Sequence, residues 1–349
     1  MIENAILERP VRAIGQSFRT PGRRLLHVIG TVAALALTIA PGVAHADAPE
    51  AAASAGCGAQ AAAPQRSTLR FDALGRTGTY IQDVPPAADR PLPVVLDLHG
   101  YIEPALIAHE STGVGDYGTT HGFVTITPQL DEPGLPRWDF QPASADIGYL
   151  SELLTHVEST LCLDQRRVYV TGLSMGAFTT SSLGCQLSDR IAAIAPVAGL
   201  QDFSWCQTTR PVPVIAFHGT ADPIVAYTGG TGPNARLLPA PDGDGSVVQE
   251  GKPNTNGPGA QSIPANAAAW AHRNGCGPEP QRTQVAPDVE LQNYPCPANA
   301  SVQLYSIING GHVWPGSPLP FPEPLVGVNT TSIKATEVIW DFFRTHPLP

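Results

Sequence analysis

Short runs of aliphatic and β-branched residues alternate along the chain with segments in which apolar side chains recur every three or four positions. The runs Gly78 to Val84, Pro93 to Leu98, Phe123 to Thr127, Arg167 to Thr171, Ile191 to Val197, Val212 to Phe217 and Val302 to Ile308 read as strands. Several are apolar on both faces, as parallel strands covered from above and below must be. Between them, Asp146 to Leu161 sets Ile147, Leu150, Leu153, Leu154 and Val157 at helical spacing. A second helix follows Ser174 over Ala177 to Leu183, Pro264 to Arg273 forms another, with Gly275 just past its end, and Ser332 to Thr345 gives the last. This alternation predicts an α/β fold, a mostly parallel central sheet flanked by helices on both faces. One stretch breaks the pattern. Thr228 to Ile263 is crowded with Gly, Pro, Asn and Asp and reads as an excursion; loops of that length are mobile or functional.

The N-terminal pattern is of another kind. Arg9, Arg12, Arg19, Arg23 and Arg24 precede the apolar run Val28 to Ala40, which leads to Ala44-His45-Ala46. That is the layout of an export signal over residues 1–46, and the run is shorter than the roughly 20 residues a spanning helix needs. Residues 47–66, rich in Ala, Pro and Ser, read as a flexible leader, so the folded part is expected over 67–349. Without the signal, 15 basic face 28 acidic residues, a net charge of −13. Nucleic acid and anionic membrane surfaces are therefore poor partners, and no stable membrane insertion is expected after signal removal. All six cysteines lie beyond the signal, an even number that suits an oxidising, extracellular compartment. Fifteen connectivities are open to six cysteines. Pairing sequence neighbours gives Cys185–Cys206 and Cys276–Cys296, which leaves Cys57–Cys162. The competing reading, a Cys-based metal site, has no CxxC pair to support it, so no metal is expected. Cys57 as a lipidated N-terminus is a weaker alternative, since it stands far beyond the apolar run.

The sharpest chemical signal is Gly172-Leu173-Ser174-Met175-Gly176, directly after the strand Val168-Tyr169-Val170-Thr171 and opening a helix. A serine on such a turn is held in a strained conformation with its hydroxyl outward, and the flanking glycines let neighbouring backbone pass close by. A lone serine is a weak nucleophile, so an acid and then a histidine should follow in chain order. Asp222, in His218-Gly219-Thr220-Ala221-Asp222, follows by 48 residues, and His312, in Gly310-Gly311-His312, by another 90. Each stands just past a strand, where sites collect in such sheets. Singly, Asp222 reads as a turn residue before proline and His312 as a loop histidine; together they form an ordered set. An oxyanion hole would use the amide of Met175 and one from the loop after Leu98-His99-Gly100, assigned to Tyr101. His99 and His218 are expected to be architectural. Trp314, two residues beyond His312, and Trp138 are candidates for the substrate pocket, with ordinary burial as the alternative.

Taken as a set, Leu98-His99-Gly100, Arg167 to Gly176, Ala192 to Gly199, His218 to Asp222 and Gly311-His312-Val313-Trp314-Pro315-Gly316 resemble the secreted polyhydroxybutyrate depolymerase and feruloyl esterase family of α/β-hydrolases. The resemblance runs from about Ser67 onward. It implies an α/β-hydrolase catalytic domain and cofactor-independent hydrolysis of carboxylic esters through an acyl-enzyme, with Ser174, Asp222 and His312 in the roles their spacing suggests. Tyr101 departs from the cysteine that many relatives carry after His-Gly; with a backbone amide as donor, that alters the pocket wall more than the reaction. The expected partner is an ester, small or polymeric, and the expected state a monomer. Two other classes use the same residues or fold: a secreted serine peptidase, for which no site for a peptide terminus is legible, and a non-catalytic carbohydrate-binding protein, which need not keep an ordered Ser, Asp and His.

Overall fold

A computed structural model describes residues 51–58, 65–86, 90–239 and 260–349. The export signal expected over 1–46 and much of the Gly/Pro-rich excursion lie outside the described residues. Ten strands form one sheet: β1 (Gln65–Ala73), β2 (Arg76–Val84), β3 (Leu92–Leu98), β4 (Val124–Leu130), β5 (Leu163–Leu173), β6 (Ala193–Val197), β7 (Val214–Gly219), β8 (Gln281–Ala286), β9 (Val289–Asn293) and β10 (Val302–Ile307). Their order is β1-β2-β4-β3-β5-β6-β7-β10-β9-β8. The six strands from β4 to β10 run parallel, and antiparallel strands close both ends. Burial explains the difference. Every residue of β3, β6 and β7 is buried, whereas the edge strand β8 exposes five of its six positions and is polar enough to resist further pairing.

The described residues form seven α-helices: α1 (Ala105–Thr112), α2 (Val114–His121), α3 (Ala145–Thr160), α4 (Met175–Gln186), α5 (Ile263–Arg273), α6 (Glu323–Val326) and α7 (Ala335–Phe343). α3 begins where Ser144 caps it, its side chain accepting from the Ile147 amide at 3.2 Å. It buries Ile147, Leu150, Leu153, Leu154 and Val157, the face its spacing predicts. α5 is capped by Ser262, and Gly275 beyond it takes φ 73°. One core cluster packs α3, α4 and α5 on one side of the sheet, through side chains such as Leu150, Leu183 and Trp270; the other packs α2 and α7 through Val114, Ile339 and Phe343. Helices therefore cover both faces, as the alternation predicts. Among the described residues, no helix is long and apolar enough to cross a membrane.

Three disulfides are present, Cys57–Cys162, Cys185–Cys206 and Cys276–Cys296, the pairing that joins sequence neighbours first. The first changes the reading of the leader. Residues 51–58 are tied down: Ala53 bridges to Asp164, the buried Ser54 hydroxyl donates to the Leu161 carbonyl at 2.8 Å and accepts from the Leu163 amide at 3.0 Å, and Cys57 is clasped to Cys162. Composition marks the leader as flexible because Ala and Pro carry no periodic signal; a backbone bridge, one serine and one cysteine hold residues 51–58.

Candidate active site

The parallel strands bring four loops to one edge of the sheet, those after β3, β5, β7 and β10. Ser174 stands between the end of β5 and the start of α4 at φ 58° and ψ −118°, a region a non-glycine residue occupies only when its surroundings enforce it. Here the Ser174 amide donates to the Val197 carbonyl at 3.0 Å, while the Ala177 and Phe178 amides donate back to the Ser174 carbonyl. The turn also requires Gly176, where a Cβ would collide with the Leu98 carbonyl oxygen. The Met175 amide, at the first helical position, has no carbonyl four residues earlier within its helix and points from a positive helix end.

Asp222 reaches the same edge from the loop after β7. Gly219 lets that loop lie against the loop after β10, because a Cβ there would strike the Gly310 carbonyl; Ala221 then donates to Gly310 at 3.0 Å. Asp222 Oδ1 accepts from the Ile224 and Val225 amides at 2.8 and 2.9 Å. Its Oδ2 lies 2.8 Å from His312 Nδ1 and 3.2 Å from His218 Nε2, with all three side chains buried. Burial alone would raise the Asp222 carboxyl, but the charge of His312 and the hydrogen bonds from His218 and His312 outweigh it and hold the group well below the usual carboxylate range. A carboxylate at Nδ1 keeps the proton on that nitrogen, so the lone pair of His312 is on Nε2. His218 also contacts the Val225 carbonyl at 2.8 Å, so the histidine expected to be architectural braces Asp222 directly.

Ser174 and His312 line one cleft of about 230 Å³. Tyr101 lines it as well, and its hydroxyl donates to the Pro239 carbonyl at 2.8 Å. In the same loop the Gly100 amide is engaged by Glu103 Oε2 at 2.7 Å and the Ile102 amide by the Pro136 carbonyl at 2.8 Å. His99 is buried and pushed down to about 4, burial outweighing its 2.7 Å contact with the Gly100 carbonyl; it stays neutral and shapes the turn.

Neither tryptophan reaches the cleft. Trp138 is 3% exposed, packs its ring tilted against His99 at 4.6 Å between ring centres, and donates from Nε1 to the His99 carbonyl and from its amide to Met175 Sδ. It supports the back of the loop that carries Tyr101. Trp314 is 1% exposed and donates to Thr336 Oγ1 at 3.0 Å, inside the core shared with α7. Both large aromatics are more favourably buried than exposed, and neighbouring Val313 takes the cleft position that proximity to His312 suggested for Trp314. The apolar wall comes instead from Leu173, within the serine turn itself, and from residues no motif marks: Ile107, Ile224, Leu238, Phe321 and Leu325. Glu103 is a further cleft residue without a sequence signal. Among the described residues, no group of three His, Cys, Asp or Glu side chains could hold a metal ion.

No protein-family model matches the chain. It is 33% identical to feruloyl esterase B of Piromyces equi over 183 residues, which cover 50% of this chain and 31% of that protein. It is 32% identical to poly(3-hydroxyalkanoate) depolymerase C of Paucimonas lemoignei over 125 residues, 33% of this chain and 30% of that protein. The chain thus spans less than a third of the length of these relatives. An acetyl xylan esterase from Aspergillus awamori superposes with a TM-score of 0.52 at 15% identity, covering 80% of this chain and 99% of that one, a likeness of fold.

Proposed function

We propose that this chain, an α/β-hydrolase with homologues named feruloyl esterase and poly(3-hydroxyalkanoate) depolymerase, hydrolyses carboxylic esters through an acyl-enzyme on Ser174. The observation that carries the reading is the buried His312 Nδ1 to Asp222 Oδ2 contact at 2.8 Å, in a cleft that His312 shares with a serine held at positive φ. Ser174 Oγ attacks the ester carbonyl while His312 Nε2 takes its proton. Asp222 fixes the tautomer and stabilises the imidazolium that forms. The developing oxyanion is held by the amides of Met175 and Tyr101. His312 then returns the proton to the departing alcohol, and a water, activated by the same nitrogen, releases the acid.

The chain works outside the cytoplasm. Three disulfides support this, since such bonds persist in oxidising compartments, and residues 1–46 then serve as the removable export signal. The catalytic domain begins with the segment clasped by Cys57 and includes everything described beyond it. The mostly apolar cleft suits feruloyl and hydroxyalkanoate acyl groups alike. Hydrolysis of methyl ferulate, hydroxybutyrate oligomers and p-nitrophenyl esters by wild type and Ser174→Ala tests the reading: turnover of at least one ester is expected for wild type and near-complete loss for the variant. Equal turnover by both proteins would overturn it.

A further inference from the structure

Among the described residues that line the cleft, one carries a carboxyl group that the proposed reaction does not use. Glu103 follows the loop that carries Tyr101 and lines the same cleft as Ser174 and His312. Its side chain turns back on the loop: Oε2 accepts from the Gly100 amide at 2.7 Å, and Oε1 lies 3.5 Å from the Ser111 hydroxyl. A Cβ placed on Gly100 would stand 3.0 Å from Glu103 Oε2 and 3.5 Å from Ser174 Cβ, so the carboxyl and the nucleophile flank the same small gap. Among the described residues, no Lys or Arg lines the cleft. The groups beneath do not neutralise Glu103 either. Asp97, fully buried, sees it as a like charge, and the nearby His109 is held by Asp83 at 2.7 Å. Burial raises the Glu103 carboxyl above its ordinary value, and the Gly100 amide, His312 and Ser111 pull it only part of the way back, so it holds its proton to higher pH than a free carboxyl and its charge acts most strongly at the alkaline end of the assay range.

Resting on the esterase reading, we propose that Glu103 is a specificity-determining residue that disfavours esters with a negative charge near the reacting carbonyl and favours neutral and cationic ones. The chemistry gives it a second effect. Every turnover converts a neutral ester into a carboxylate a few ångströms from Glu103, and like charges in a confined apolar cleft repel more strongly than in water. The same side chain therefore speeds departure of the acid product and weakens product inhibition.

Glu103→Gln isolates the charge, because the amide oxygen can still accept from Gly100. Wild type and variant are compared on p-nitrophenyl hexanoate, on the mono-p-nitrophenyl ester of adipate, and on the ω-trimethylammonio hexanoate ester, each corrected for spontaneous hydrolysis. The ratio of kcat/KM for neutral over anionic ester should fall on the order of tenfold in the variant, and the ratio for cationic over neutral ester should fall as well. Added salt should weaken the discrimination of wild type more than that of the variant, and hexanoate should inhibit the variant at lower concentration. Glu103→Ser provides a second uncharged replacement if the first does not fold. Ratios that agree within about twofold between wild type and a folded variant would overturn the proposal while leaving the esterase reading intact. No turnover of any of the three esters by wild type would overturn the esterase reading, and this proposal with it.

Discussion

Replacing Asp222 by Asn tests the electrostatic core of the site with a change of one atom. Asp222 accepts four contacts: Oδ1 from two backbone amides, and Oδ2 from His312 Nδ1 and His218 Nε2. An asparagine can keep its oxygen on the Ile224 and Val225 amides. Its NH₂ group then occupies the place of Oδ2, and an NH₂ cannot accept from either histidine. His312 is driven to the tautomer with its proton on Nε2, where it can no longer take the serine proton. In serine hydrolases built on this logic, the wrong tautomer costs on the order of 10⁴ in kcat, about 5.5 kcal/mol of transition-state stabilisation. Placing the NH₂ beside His218 as well leaves two donors facing each other in a buried site, so the variant should also lose roughly 1–3 kcal/mol of stability. The assay is kcat/KM on a soluble p-nitrophenyl ester alongside thermal unfolding. There is a pH component with a definite sign. The folded-state pKa of Asp222 is depressed, so its stabilisation is complete above the unfolded value near 3.8 and is lost as pH falls through the lower folded value. The stability gap between wild type and variant should therefore narrow in strong acid and hold steady from pH 5 upward. A folded variant that retains more than a tenth of wild-type kcat/KM would refute the assigned role.

Other outcomes follow from the same structure. Burial pushes the Asp97 carboxyl up to about 7 despite the Thr112 hydroxyl that donates to it, so this group destabilises the fold progressively as pH rises from about 4 through 7; Asp97→Asn should raise Tm at pH 8 more than at pH 4, and equal shifts would count against the buried charge. Replacing Cys276 and Cys296 together by Ala removes a clasp across the β8–β9 hairpin and should lower stability by about 3 kcal/mol in the chain-entropy account, read by denaturant unfolding; no change would show the clasp to be slack. Trp314→Ala should cost about 3–5 kcal/mol of stability but reduce kcat/KM equally for feruloyl and acetyl esters, because the side chain is buried away from the cleft; a selective loss on feruloyl esters would return it to the substrate pocket.

What the sequence reveals depends on how strongly burial constrains each segment. β3, β6 and β7 are buried along their whole length, so they are written as uninterrupted apolar runs and are legible. β1 and β8 are edge strands with mostly exposed positions, and β9 beside β8 is short, polar and half-buried, so no clear alternation marks them. α1 inverts the usual pattern. It exposes Leu106 and Ile107, the latter on the cleft wall, and buries His109, Ser111 and Thr112, so periodicity points away from it. The Ser174, Asp222 and His312 set is legible because strand ends force each residue into a recognisable turn. The cleft wall is not, since Leu238, Phe321 and Leu325 come from irregular or short segments whose only requirement is to be apolar. Trp138 and Trp314 mislead for a physical reason: closeness to a motif in sequence says nothing about which way a large side chain is buried.

The central claim is that Ser174 is a nucleophile activated by His312, and the most direct measurement is the mass of the protein after brief exposure to a fluorophosphonate. Wild type should gain one adduct, mapped by fragmentation to Ser174, at a rate that collapses in His312→Ala, while Ser174→Ala should gain none. An adduct on another residue, or an unmodified wild-type protein that still hydrolyses esters, would contradict the account.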